Sequence, residues 1–155
     1  MGKIEEILIA PAIFAADGII KKKIEKDDTL VLPKEVCSGR IMIRKFHNGG
    51  AAFSSGRKNK AVTVISSIFS VIMTIMFFAP FSQNGSKLMR TGLSLMLGGA
   101  YSNTYDRLKR GYVVDYLSFK NSHSKYLSGI VYNISDFCIA AGALIIVLDS
   151  FRESD

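Results

Sequence analysis

Two long stretches of the chain are apolar almost without interruption, and they predict helices that cross a membrane. The first, residues 61–80, contains no charged side chain, and a helix needs about 20 apolar residues to span roughly 30 Å of hydrocarbon. The second, residues 130–148, is of similar length but contains Asn133 and Asp136. Its many Ile, Leu, Val and Phe residues offset the cost of one central Asp, about 3 kcal/mol on insertion scales. We therefore expect both stretches to insert.

Two further apolar stretches are weaker candidates for membrane helices. Residues 4–20 carry Asp17 near their end, and residues 88–105 contain Arg90 near their start. Either stretch alone would suit a buried helix of a soluble protein. Beside two apolar spans they are better interpreted as the first and third of four membrane helices, with the small residues at 98–100 allowing close helix contact. The first stretch lacks a basic start and a cleavage pattern, so we expect it to remain in the mature protein.

The connection between the first two helices is too long for a tight loop and contains two short β-like runs, TLVLP and GRIMIRKF. Within the same connection, Asn-Gly-Gly at 48–50 is typical of a hairpin turn. The pattern predicts an all-α integral membrane protein with a small surface β-sheet, in one domain covering residues 1–155. The expected helices cover about 4–22, 61–80, 88–106 and 129–150, and the expected sheet lies within about 28–58.

Composition and charge agree with a membrane protein. Apolar residues make up 48% of the chain, and the formal net charge is +7. The basic residues lie in the connections rather than on one helix face, which favours lipid headgroups over nucleic acid as the electrostatic partner. The first connection holds 11 of the 20 Lys and Arg residues and the third holds five. The positive-inside rule would place these two connections in the cytoplasm.

The cysteines and histidines predict neither a disulfide framework nor a metal site. Cys37 and Cys138 lie far apart, and His47 and His123 have no ligand partners at useful spacing. We therefore expect no metal and no cofactor.

Ionisable residues in apolar surroundings mark the candidate chemistry, because charges at membrane depth are costly and usually face a functional interior. Asn103, Asp106 and Arg107 share one helix face if the third helix continues that far. Asp115 follows within an apolar run, and Asp136 comes 21 residues later with Asn133 one turn before it.

The two aspartates of these apolar runs suggest a shared-proton pair. If Asp115 and Asp136 lie on adjacent antiparallel helix ends, like charge prevents both from ionising cheaply. One carboxyl could then activate a water while the other acts as an acid, as aspartic proteases require. In the alternative, Asp106 pairs with Arg107 or a neighbour, and Asp115 caps a turn. The sequence contains no nucleophile elbow, phosphate-binding loop or zinc-protease motif that would compete.

Four sequence blocks resemble the signature blocks of signal peptidase II, the lipoprotein signal peptidase family. LGGAYSNTYDRLKRGYVVDYL at 97–117 and YNISD at 132–136 resemble its two main blocks. HNGGAAFS at 47–54 resembles its Asn-x-Gly-Ala-Ala-Phe block, and AADGIIKKKI at 15–24 looks like a degraded form of its Asp-Gln-x-x-Lys motif. The blocks occur in family order and organise nearly the whole chain.

The resemblance implies four membrane helices with a small extracytoplasmic sheet, the β-cradle, between helices one and two. It implies a multi-pass, monomeric protein of the cytoplasmic membrane, in contact with membrane lipids, whose active site faces the extracytoplasmic side. Its substrates would be diacylglyceryl-modified prolipoproteins, cut on the N-terminal side of the lipid-bearing cysteine with water as nucleophile and no cofactor. Asp115 and Asp136 match the catalytic aspartates. The positions that match supporting or substrate-contacting residues are Asp17, Asn48, Gly50, Asn103, Asp106, Arg107 and Asn133.

Four positions depart from the family pattern: Gly18 replaces Gln, Ser102 replaces Gly, Tyr132 replaces Phe, and Ser135 replaces Ala. Asp115 and Asp136 are called the dyad below. We expect the hydroxyl of Ser135 either to shift the equilibrium of the proton that the dyad shares or to bond back to a helix carbonyl. These departures favour, as an alternative, a noncatalytic relative that binds lipopeptides or lipids. A proton-coupled carrier is a third possibility, but the sequence lacks the inverted repeat typical of carriers.

Overall fold

The computed structural model describes residues 2–30, 32–50, 60–82, 85–120 and 129–152. It is mostly helical, with one small antiparallel sheet, as the apolar pattern predicts. The four helices are α1 (Gly2–Lys26), α2 (Lys60–Ser82), α3 (Lys87–Arg110) and α4 (Ile134–Arg152). The three strands are β1 (Lys34–Val36), β2 (Ile41–Asn48) and β3 (Val113–Phe119).

Helices α2 and α4 are the two described helices that are long and apolar enough to cross a membrane by length and composition. Their outward faces carry large exposed apolar side chains, among them Ile65 and Ile75 on α2 and Leu144 and Val147 on α4. Such broad apolar surfaces suit contact with lipid rather than water. Membrane insertion of α1 and α3, which contain more charged residues, remains a prediction.

Helix α3 lies at the centre of the bundle and packs against each of the other three helices. Its glycines allow the close approach that the sequence predicts. A Cβ atom on Gly98 would lie 2.7 Å from the carbonyl oxygen of Ala10 in α1, and one on Gly99 would lie 2.5 Å from that of Ser135 in α4. Only residues without a side chain allow backbones to approach so closely.

The sheet has the order β1-β2-β3 and is antiparallel throughout. The prediction for GRIMIRKF is confirmed by β2. TLVLP, however, forms no strand in its described residues: Thr29 and Leu30 lie in a turn, and β1 begins only after Pro33. The backbone N–H of Thr29 donates to the side chain of Asp27 at 2.9 Å, which stabilises that turn.

The sequence-based prediction was wrong in confining the sheet to the connection between the first two helices. Its third strand, β3, comes from the connection between α3 and α4 and pairs with β2, Phe46 lying opposite Asp115. Nearly all of β3 is buried, so its sequence lacks the polar alternation that reveals a half-exposed strand.

Two backbone features hold β3 between the end of α3 and the start of α4. Gly111, with φ of +83°, ends α3 in the left-handed conformation, and its N–H donates to the carbonyl of Arg107 at 3.0 Å. Tyr132, just before α4, exchanges backbone hydrogen bonds with Leu117 at 2.7 and 2.8 Å. The start of α4 therefore lies directly beside the middle of β3.

Candidate active site

The first turn of α4 positions Asp136 through a reciprocal cap. Asn133 lies just before the helix, and its Oδ1 accepts from the N–H of Asp136 at 3.0 Å. In return, Oδ2 of Asp136 accepts from the N–H of Asn133 at 3.0 Å. This is the geometry of a capping box, which satisfies two otherwise unpaired N–H groups. The spacing of Asn133 and Asp136 predicted that both lie on one face of the helix; Asn133 instead lies just before the helix and caps it.

Asp115 is 1% exposed and lies on β3; the expectation that it would end a helix or cap a turn was wrong. Its Oδ1 accepts from the side-chain amide of Asn133 at 2.7 Å, and its Oδ2 accepts from that of Asn48 at 2.8 Å. Asn48 is itself held by the N–H of Gly50, which donates to its Oδ1 at 2.9 Å. Gly50 has φ of +80°, and a Cβ there would lie 2.5 Å from Val62, so glycine is required.

Two asparagine amides connect the two candidate catalytic carboxylates. The amide of Asn133 donates to Asp115 and also lies 3.1 Å from Oδ1 of Asn103. The amide nitrogen of Asn103 then donates to Oδ1 of Asp136 at 2.9 Å. The sequence-based interpretation that Asp115 and Asp136 lie close together therefore agrees with the geometry, although one is on a strand and the other on a helix.

The Asp115 carboxyl is poised to hold or release a proton. Burial raises its pKa to about 6, the hydrogen bond from Asn48 opposes this rise, and the nearby negative charge of Asp136 adds to it. The hydrogen bond from Asn133 and the charge of Lys21 act to lower the value.

Behind the two carboxylates lies a buried cluster centred on Lys21, which is 1% exposed. Its ammonium pairs with Asp17 at 2.9 Å and Asp106 at 3.3 Å. It also donates to Ser102 at 3.0 Å and to Oδ1 of Asn103 at 2.9 Å. This last bond fixes the amide of Asn103 so that its nitrogen faces the dyad. The sequence reasoning did not name Lys21 as a site residue, although Lys21 stands at the lysine position of the Asp-Gln-x-x-Lys motif, four residues after Asp17.

The Asp17 carboxylate receives hydrogen bonds from three hydroxyl groups: Ser102 at 2.6 Å, Tyr116 at 2.7 Å, and Ser135. The hydroxyl of Ser135 therefore donates to Asp17 and not to a helix carbonyl, so that expectation was wrong, whereas an effect on the proton shared by Asp115 and Asp136 stays a prediction. Burial, reinforced by the charge of Asp17, raises the pKa of Tyr116 far above its usual range. Tyr116 therefore remains a donor, and its oxygen also accepts from the N–H of Ile134 at 3.2 Å.

Asp106 holds the turn between α3 and β3. Its carboxylate pairs with Arg110 at 3.2 Å and accepts from the N–H of Val114 at 3.2 Å. The sequence predicted that Asn103, Asp106 and Arg107 share one helix face if α3 continues that far. The helix meets this condition, because it ends only at Arg110.

Arg107 forms no ion pair within the described residues, although the charges of Asp115, Asp136 and Asp106 act on its guanidinium. Within the described part of the chain, its Nε is buried and has no hydrogen-bond partner. Arg107 lines a cavity of about 340 Å³ between α2, α3 and α4, together with Asn103. It also lines a cavity of about 410 Å³ beside Asn48 and Gly50. The side chain thus lies beside both cavities and near the two candidate catalytic carboxylates.

Other titratable groups that the sequence singled out lie apart from this site. His47 is 2.6 Å from Glu25 and stacks on Tyr112, and His123 lies outside the described residues. Cys37 and Cys138 are free thiols. Across the described ranges, no group of three or more His, Cys, Asp or Glu residues could hold a metal ion.

Solved structures with this fold define the class of protein. A structure described as a bacterial membrane enzyme superimposes with a TM-score of 0.79 at 24% identity, covering 97% of this chain and 90% of that chain. A second, with the same description, gives a TM-score of 0.77 at 25% identity, covering 94% and 91%. The fold is therefore that of a bacterial membrane enzyme.

Sequence comparison specifies the family. The profile described as "Signal peptidase (SPase) II" matches residues 9–152. The lipoprotein signal peptidase of Lactiplantibacillus plantarum is 26% identical, covering 95% of this chain and 94% of the relative. That of Paraburkholderia phytofirmans is 28% identical, covering 93% and 83%. The alignment with that of Alteromonas mediterranea, at 34% identity, covers 70% of this chain and 60% of the relative. The chain belongs to the signal peptidase II family, and it is a peptidase of the bacterial membrane.

Proposed function

We propose that this protein is an aspartic endopeptidase that removes signal peptides from diacylglyceryl-modified prolipoproteins, cutting on the N-terminal side of the lipid-bearing cysteine. The observation that carries the proposal is the pair of carboxylates on separate elements, Asp115 and Asp136, joined through the amides of Asn133 and Asn103. Membership of a lipoprotein signal peptidase family supports the same substrate class.

The two carboxyl groups divide the work of an acid and a base. Asp115, whose pKa burial raises to about 6, carries the shared proton, and Asp136 accepts a proton from the attacking water. The water oxygen bonds to the scissile carbonyl carbon while Asp115 donates its proton to the carbonyl oxygen. The tetrahedral intermediate then collapses as Asp136 passes its proton to the leaving amine and the C–N bond breaks. Asp115 recovers its proton from the hydroxyl of the intermediate.

Arg107 and the adjoining cavities provide the substrate-binding part of this proposal. Arg107 lines both cavities beside the dyad, and its guanidinium can donate to a backbone carbonyl of an extended peptide lying there. The cavity between α2, α3 and α4 is lined by apolar side chains such as Ile65, Phe69 and Ile139. An apolar signal-peptide segment would bury its side chains there and bring its end to the carboxylates.

Four membrane spans and an extracytoplasmic sheet complete the proposal, with one monomeric domain in the cytoplasmic membrane. The charges of α1 and α3 pair inside the bundle, which lowers their cost in hydrocarbon. Lys21 contacts Asp17 and Asp106, and near the other end of the bundle Arg90 pairs with the buried Glu6 at 2.9 Å. The dyad would then lie at the membrane boundary, next to the sheet.

The deciding experiment compares three aspartate-to-asparagine variants in cleavage of a purified diacylglyceryl-modified prolipoprotein. D115N and D136N each lose a group that transfers a proton, so we expect rates to fall by about 10³-fold or more. D149N is the matched control: Asp149 is also buried on α4 and accepts from Ser86, but it lies about 20 Å along the helix from Asp136. D149N should retain cleavage.

Two outcomes would contradict the proposal. Retained cleavage in folded D115N or D136N would remove the dyad from the mechanism. A folded parent protein that binds the lipopeptide without cleaving it would instead support the noncatalytic alternative, a lipopeptide-binding or lipid-binding protein.

A further inference from the structure

A third cavity lies between α1 and α3, and its lining does not include Asn103 or Arg107, which lie beside the dyad. It has a volume of about 470 Å³, and four cationic side chains line it: Lys21, Lys22, Lys109 and Arg110. One carboxylate, that of Asp106, also lines it. The lining therefore carries an excess of positive charge.

The excess charge resides on two lysines at the rim of the cavity. Asp106 is already occupied by Lys21 and Arg110, at 3.3 and 3.2 Å. Lys22 is exposed and makes no ion pair with any residue in the described ranges. Lys109 is exposed and donates to the hydroxyl of Tyr105, a neutral group, at 2.9 Å. Both ammonium groups therefore remain available to an anion.

An apolar groove continues from this cavity between the same two helices. Its volume is about 380 Å³, Phe14 lines both spaces, and the remaining lining comes mainly from Ile7, Ala10, Leu97 and Tyr101. From Ala10 to Lys22 the helix rises about 18 Å, which is close to the hydrocarbon depth of one leaflet, half of about 30 Å. The cavity and the groove together form one crevice. It is basic at one end, and its apolar part is about as long as one leaflet is deep.

We propose that the crevice between α1 and α3 binds one anionic phospholipid, with its phosphate between Lys22 and Lys109 and one acyl chain in the apolar groove. Gly18 keeps the headgroup end open, because it lines the cavity and a Cβ there would meet no atom within 4 Å. The half-exposed ring of Tyr105 at the rim suits the headgroup level, where aromatic side chains concentrate.

This lipid site requires the membrane insertion proposed above but not the peptidase reaction. Its position behind Lys21 and Asp106 separates it from the cavities beside the two candidate catalytic carboxylates. A bound lipid would contact the outer side of the buried cluster that orients Asn103.

Native mass spectrometry of delipidated protein tests the site with phosphatidylglycerol and phosphatidylcholine of identical acyl chains. The parent should retain phosphatidylglycerol preferentially. In K22Q/K109Q the retention of phosphatidylglycerol should fall about tenfold, because each lysine near an anionic headgroup strengthens binding of the lipid. The matched control K23Q/K26Q removes two exposed lysines of α1 that do not line the cavity, and it should behave like the parent.

The Gly18 variants test the shape of the cavity independently of its charge. G18L would fill the headgroup end and should abolish the preference, whereas G18A adds one methyl group into open space and should keep it. Excess glycerol 3-phosphate should not displace the lipid, because it cannot occupy the apolar groove.

Several results would overturn the proposal. Equal retention of the two lipids by the parent, or an equal loss in K23Q/K26Q and K22Q/K109Q, would mean that diffuse surface charge acts alone. Displacement by glycerol 3-phosphate would show a headgroup site without the groove. Thermal unfolding checks that each variant folds, and lipid retention is read without cleavage, so a failed peptidase assay leaves this test intact.

Discussion

Two opposing effects act on the carboxyl group of Asp115. Burial penalises its charged form, while donors from Asn48 and Asn133 stabilise that form. Burial prevails, and the pKa rises to about 6. The charged form is then disfavoured in the folded protein, so this group makes folding less favourable as the pH rises from about 4 through 6.

Infrared titration of the protonated carboxyl band checks this value directly. We expect a band that disappears with a midpoint near pH 6 in the parent and is missing in D115N. If Asp115 must carry the shared proton, kcat/KM for prolipoprotein should fall as the pH rises through the same range. A band already lost by pH 4 would mean that the hydrogen bonds outweigh burial.

Asn133 has two separable functions, because its Oδ1 caps α4 and its amide nitrogen bridges Asp115 and Asn103. N133S keeps an oxygen that can cap a helix but loses the amide bridge. We expect near-parental thermal stability and a cleavage rate lower by about 10²-fold, the usual cost of one positioned donor.

The comparison variant N133A loses both functions and should also unfold more easily, by about 1 kcal/mol for the lost cap. Similar stability of the two variants would show that the cap contributes little here. A parental cleavage rate in N133S would remove the bridge from the mechanism.

At the level of elements, α3 and α4 are held together by contact between glycine backbones. A Cβ on Gly142 would collide with the carbonyl oxygen of Gly92 and lie 2.7 Å from Met96. The same two helices carry Asn103 and Asp136, so their separation sets the geometry at the dyad.

G142A should therefore lower the melting temperature, corresponding to roughly 1–3 kcal/mol of overpacking, despite the higher helix propensity of alanine. G18A is the matched control, because its new methyl group meets no atom within 4 Å; it should leave the melting temperature unchanged or raise it. Equal effects of the two substitutions would contradict the close-packing argument.

The apolar runs at 61–80 and 130–148 predicted α2 and α4, because a helix long enough to span hydrocarbon must be apolar along its length. The strand β3 escaped prediction for a physical reason. Its hydrogen-bond partner, β2, is about 70 residues earlier in the chain, and a strand buried on both faces has no alternating pattern. Asp115 was therefore assigned to the wrong kind of element although its proximity to Asp136 was anticipated.

For the whole molecule, two arguments disagree about which side of the membrane holds the sheet. Counting Lys and Arg places the first and third connections in the cytoplasm, whereas the proposed function requires them outside. Several of these charges are neutralised within the fold, as where Arg110 and Lys21 pair with Asp106. Basic residues near the outer surface can also hold anionic lipid headgroups, so we follow the proposed function and predict an extracytoplasmic sheet.

The thiol of Cys37 reports the orientation directly, because it is exposed between β1 and β2. With Cys138 replaced by serine, an impermeant maleimide should label Cys37 in intact spheroplasts. A control with Cys37 also replaced and K87C at the start of α3 should be labelled only after permeabilisation. The reverse pattern would place the sheet in the cytoplasm.

The sequence by itself determined the apolar helices, because hydrocarbon selects composition directly, and it determined the residues available for chemistry. Only the tertiary structure decided how these residues meet. Lys21 orients Asn103 across two helices, Asn48 reaches Asp115 across a strand pair, and Ser135 binds Asp17 rather than the dyad. Such contacts depend on strand register and on helix separations of a few ångströms, which arise from packing between segments distant in sequence.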